Sequence, residues 1–124
     1  MPRKRMIDPQ IWTSEDFGTL SDLAQVYFIG MISNCDDEGR FKGSAAFLKA
    51  TVRPYSADTL EAVEGVKAEI ADKGMVKLYH VENVEFAELP SFGEFQYIQR
   101  PKASKFPGPG EADADPLPGY EIAI

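Results

Sequence analysis

The sequence predicts a single α+β domain, mostly helical, with a β-hairpin near its C-terminal end. Three observations lead there. The chain has 124 residues, 44% of them hydrophobic, enough for one compact core. Capping residues stand ahead of apolar stretches at Asp8, Ser21, Ser44 and Asp58. Past Gly74, the stretches "MVKLYHV" and "VEFAEL" read as strands joined at Glu82-Asn83.

Taken in order, Asp8-Pro9 predicts a helical turn, with Asp8 as cap and Pro9 where a missing N–H costs nothing. That turn is expected to bring Ile11 and Trp12 inward, and Ser14 to Phe17 a second short turn. Ser21 caps a helix from Asp22 to about Ser33. It is apolar on nearly every side, the pattern of a central, buried helix, and Gly30 within it suits close approach by a neighbour.

The stretch "NCDDEGRFKGS" (34–44) then turns the chain. Its acids oppose a helix C-terminal dipole and belong beyond the helix, and Gly39 supplies a positive-φ position. Arg40-Phe41-Lys42 is a short extended piece with Phe41 inward. Ser44 caps the helix "AAFLKATV", with Phe47, Leu48 and Val52 on its core side, and Arg53-Pro54 ends it. Asp58 and Glu61 resemble a capping box for a helix running to Lys73. Leu60, Val63, Val66, Lys67 and Ile70 form its inner stripe, and Gly74 its C-cap. "PSFGEFQYIQRPKASKFP" is irregular, but its aromatics predict that part of it packs back. "GPGEADADPLPG" cannot build a core. The expected layout is thus residues 1–107 as the domain, with a basic N-terminal arm and a packed aromatic and basic extension. Residues 108–124 are a flexible tail whose "YEIAI" suits docking on a second copy in a homo-oligomer. Helix, short strand, helix, helix and hairpin is the order of a winged helix-turn-helix, the hairpin being the wing.

Net charge is −7, unevenly spread. Residues 1–53 balance at zero, 54–99 carry −6, 100–110 carry +3 and 111–124 carry −4. The longest apolar run, within 23–32, is too short to span a bilayer. "MPRKRMIDP" lacks the apolar stretch of a secretory signal. The single cysteine, Cys35, suits a reducing cytoplasm.

Asp36, Asp37 and Glu38 are consecutive, unlike the alternating ligands of a calcium loop, so they predict a turn and no metal. Cys35 and His80 sit on different predicted elements, which speaks against a nucleophile–base pair. With no phosphate-cradling glycine loop, CxxC or HExxH, neither an enzyme nor a cofactor is expected.

Several stretches carry a family resemblance: "RKRMIDPQIW" (3–12), "LSDLAQVYFIGMISNCDDEGR" (20–40), "KATVRPY" (49–55), "EIADKGMVKLYHV" (69–81) and "RPKASKFP" (100–107). With them the chain resembles the N-terminal winged-helix domain of bacteriophage replication proteins of the replisome-organiser type, and related phage proteins of unassigned role. The resemblance implies replication-linked binding of double-stranded DNA in the cytoplasm of a bacterial host, and contact with replication proteins such as a helicase loader. It implies no membrane partner.

In a winged helix the second helix of the helix-turn-helix enters the major groove. Here that helix, 58–73, carries Glu61, Glu64, Glu69 and Asp72 against Lys67 and Lys73, and phosphates repel such a face. The expected DNA contacts are therefore Arg3, Lys4, Arg5, Arg40, Lys42, Lys49, Arg53, Arg100, Lys102 and Lys105. A different class of function is also consistent: a protein-interaction or oligomerisation module using the acidic face of 58–73.

Overall fold

The computed structural model describes residues 3–113. A 3₁₀ helix, Pro9–Thr13, leads into α1 (Glu15–Gly18) and α2 (Asp22–Asn34). Then come β1 (Arg40–Lys42), α3 (Ala45–Val52), α4 (Leu60–Asp72), β2 (Lys77–Val81), β3 (Val84–Glu88) and α5 (Phe92–Phe95). A last 3₁₀ turn spans Pro109–Glu111.

Three of the four expected caps form, at Asp8, Ser21 and Ser44, and Ser14 adds one for α1. Asp8 accepts the N–H of Gln10, and Ser14, Ser21 and Ser44 accept those of Phe17, Ala24 and Phe47. At α4 the cap is Thr59, whose hydroxyl accepts the N–H of Ala62, rather than Asp58. Asp58 is instead taken by Arg53 Nε at 2.7 Å and by the hydroxyl of Tyr27 at 2.9 Å. A carboxylate facing a guanidinium makes the stronger, charge-assisted bond, and Thr serves the helix end nearly as well.

Helices α2, α3 and α4 pack on one another, and the strands form an antiparallel sheet in the order β1-β3-β2. Phe41, Ala87 and Leu78 are in register on the core side. Tyr27, Met31, Leu48, Val63 and Ile70 complete a fully buried centre. Gly30 is where α2 and α3 meet: a Cβ there would lie 2.5 Å from both γ-methyls of Val52. The hairpin turns through Glu82 (φ 52°) and Asn83 (φ 65°). Two consecutive left-handed residues suit the right-handed twist of the strands they join.

Several expectations are corrected. Helix α2 is not sealed all round: Ala24, Tyr27 and Met31 are buried, but Val26 is 44% exposed, since no element among the described residues covers that side. Leu60 is 52% exposed, because it opens α4 before the helix meets its neighbours. Trp12 is 66% exposed and meets the Phe17 ring in a T-shaped contact, with centroids 5.8 Å apart. Lys67 keeps its place on the inner stripe at 1% exposure, because Glu64 and Glu85 take its ammonium at 2.8 and 3.0 Å.

Residues 108–113 do not leave the domain. Phe106 packs on Phe86 across the outer face of the sheet, and the Tyr79 hydroxyl donates to Pro107 O at 2.6 Å. The Asp113 carboxylate accepts the N–H groups of Glu82 and Asn83, both at 3.0 Å, which holds it below the usual carboxylate range. The rest of the expected flexible tail, 114–124, lies outside the described residues. Among the described residues no helix is long and apolar enough to cross a membrane.

Candidate nucleic-acid interface

The acidic loop after α2 is the hub to which both basic segments attach. Asp36 shapes it: one carboxylate oxygen accepts the N–H of Glu38 and of Arg40, each at 2.9 Å. Gly39 follows at φ +82°, and a Cβ there would meet Phe92 Cβ at 2.8 Å. The remaining acid groups face outward from this turn toward the two chain segments beside it.

Asp37 receives both of them. Arg5 Nη1 lies 3.0 Å away, Arg3 Nε 3.5 Å, and the backbone N–H of Lys102 donates at 2.9 Å. The Lys102 amide, followed by the Arg5 hydrogen bond, holds the Asp37 carboxyl below its ordinary range despite some desolvation. Next along the chain, the Ser104 hydroxyl bonds Asp36 and the Ser104 N–H bonds Glu38. The "DDE" of the sequence is therefore a clasp for residues 3–5 and 102–104. All three carboxylates are engaged by groups of the protein.

Arg5 is the deepest part of this clasp. Its side chain is 3% exposed, donates to Cys35 O at 2.9 Å and lies 5.1 Å over the Phe92 ring. Its Nε–H has no acceptor among the described residues. Arg3 ties the segments directly, donating to Gln99 O at 2.8 Å and Arg100 O at 3.0 Å. Further along, the Gln96 side chain exchanges two hydrogen bonds with the backbone of Met6, at 2.9 and 2.8 Å. Residues 3–6 thus run alongside 96–100.

The ten cations expected at the interface fall into distinct groups. Arg3, Lys4, Arg100 and Lys102 come together on this joined strip, with Lys4, Arg100 and Lys102 exposed. Arg5 belongs to the same cluster but lies beneath it. Lys42 and Lys105 are exposed near the outer sheet face, on either side of the Phe86–Phe106 contact. Arg40 is bound to Glu88 at 2.9 Å and to Phe106 O at 3.3 Å; the Glu88 bond keeps its guanidinium above its usual pKa. Arg53 is bound to Asp58, and Lys49 lies half-buried on α3. Neither reaches the strip through any bond among the described residues.

Cys35 is fully buried, its thiol donates to Ile32 O, and burial pushes its pKa up to about 12, so it stays protonated. His80 faces Asp113 at 3.7 Å on the hairpin.

Sequence reasoning missed the aromatic share of the strip. Tyr97 is 82% exposed and Phe95 41%, although their neighbours Phe92 and Ile98 pack inward. The signal was present in "FQYIQRPK", where two aromatics lead directly into two cations. Next to the strip opens a cleft of about 620 Å³. Its floor includes Phe17, Phe28, Ile32 and Met75, and it shares Met6, Phe95 and Gln96 with the strip.

Comparison with protein-family profiles, curated proteins and solved structures returns no match to this chain.

Proposed function

We propose that the protein is a non-catalytic DNA-binding domain of the winged-helix kind, serving replication in a phage or prophage as the sequence resemblance implies. The observation that carries the reading is the joined strip. Two segments from opposite ends of the described chain, the most basic in the sequence, are drawn together on Asp37, and Lys4, Arg100 and Lys102 on them are exposed. A protein of net charge −7 has little reason to gather Arg3, Lys4, Arg100 and Lys102 in one place unless an anion is to meet them. The element order and the β1-β3-β2 sheet support the winged-helix reading. In this reading α3 and α4 are the helix-turn-helix and the β2–β3 hairpin is the wing.

The strip takes the place of the second helix as the phosphate contact. The outward residues of α4 include Glu61, Ala62, Gly65, Ala68 and Asp72, and phosphates are repelled there. That same surface favours the second reading, a contact site for another protein, and the exposed Leu60 at its start adds an apolar anchor.

Fluorescence anisotropy with a mixed-sequence duplex at two salt concentrations tests the proposal. Replacing Lys4, Arg100 and Lys102 by alanine should weaken binding to all sequences alike. The slope of log affinity against log salt should fall by about 0.9 for each phosphate that is no longer neutralised. Charge-neutralising Glu61 should leave binding equal or stronger. If the wild type binds no nucleic acid even at low salt, the protein-contact reading replaces this one.

A further inference from the structure

We infer that the strip formed by residues 3–6 and 95–102 binds an unpaired DNA strand, with bases stacked on Tyr97 and Phe95 and phosphates on Lys4, Arg100 and Lys102. This deepens the DNA-binding reading and rests on it.

Three observations point to a single strand rather than a duplex. The first is the exposure of Tyr97, at 82%, on the segment that carries the cations. An aromatic ring left in water three residues ahead of a cation offers a face to a base, and only an unpaired base can take it. The second is rigidity. Met6–Gln96 and Arg3–Gln99/Arg100 fasten the two segments on either side of Tyr97, so the ring and the cations stand on a fixed surface. Asp37, beneath them, has a side chain only 5% exposed and is neutralised there by Arg5 and Arg3, so it does not repel a strand passing above. Glu94 on α5 is the exposed acid nearest in sequence. The third is the cleft. It shares Met6, Phe95 and Gln96 with the strip, and at about 620 Å³ it has room for a splayed base against Phe17 and Phe28. A duplex would need an element that fits its groove, and the outward face of α4 is acidic.

The experiment compares labelled oligo(dT) with a blunt duplex of equal length by anisotropy, using wild type, Tyr97→Ala, Tyr97→Phe and Lys102→Ala. Oligo(dT) should bind more tightly than the duplex. Tyr97→Ala should weaken oligo(dT) binding by roughly 5- to 150-fold, the range for removing one stacked base, and leave the duplex nearly unchanged. Tyr97→Phe should retain the affinity, because it keeps the ring. Lys102→Ala should weaken both ligands, because it keeps the backbone N–H on Asp37 and removes only a charge. Melting curves matching wild type show that the exposed position is not needed for folding. Duplex binding at least as tight as oligo(dT), or no effect of Tyr97→Ala, overturns the inference and leaves DNA binding in place. Absence of binding to both ligands overturns the DNA-binding reading as well.

Discussion

Gly39 sits at φ +82° with Phe92 pressed against the place a side chain would occupy. Both facts exclude a β-branched residue there, so Gly39→Val should cost about 1–3 kcal/mol, read as a lower denaturant midpoint; an unchanged midpoint would argue against the turn. Asp37 gives a prediction in pH. Its folded pKa lies below the ordinary carboxylate value, so its contribution is complete above about pH 4 and is lost as pH falls through the lower, folded value. Hydrogen-exchange protection at 99–104, taken relative to the intrinsic rate at each pH, should fall in that acid range, and Asp37→Asn should show the lower protection already at neutral pH. Because that substitution also leaves Arg5 buried without its counter-ion, it should cost about 1–3 kcal/mol. Gly39 was readable from the sequence because a positive φ depends on a local pattern. Asp58 and Trp12 were not. Asp58 looked like a helix cap until Arg53, five residues before it, and Tyr27, brought near by the fold, both bonded its Oδ2. Trp12 looked like core because nothing local says which side of a short turn the protein will cover.

Among the elements, α2 and α3 approach closely at Gly30 because Val52 occupies the space of the missing side chain. Gly30→Ala should push the helices apart or distort them at a cost of about 1–3 kcal/mol. Adding Val52→Ala should recover part of that loss, and a double-mutant cycle with no coupling would show that the two helices do not meet there. Lys67 joins α4 to β3 through Glu85 while its own stem lies in the core. Lys67→Ala should therefore lower the melting temperature, and any loss of DNA affinity should follow the loss of fold. The helices and hairpin were legible because Ser21, Ser44 and Glu82-Asn83 act within a few residues of themselves. The clasp was not, although its charges were in plain view. "DDE" could be weighed against a metal and "RKR" against phosphate, but their meeting depends on chain reversals between them.

At the scale of the whole molecule, the candidate interface is a product of folding rather than of any one segment. Arg5 and the Lys102 backbone meet only when Asp37 holds both stretches of chain, and most of the acidic middle of the sequence lies elsewhere, on α4 and the hairpin. The two Arg3 bonds, to Gln99 and Arg100, span sequence separations of 96 and 97 residues. Contacts that close so large a loop gain nothing until the intervening chain is compact. In a refolding experiment the helices should acquire protection first, and the amides of 99–104 last. Under native conditions the same segment should open and reclose without the core unfolding, as a separate cooperative unit of lower stability. The surface proposed to meet DNA would then exist only in molecules that have finished folding, so a nascent or partly unfolded chain would be unable to hold the nucleic acid its completed form binds.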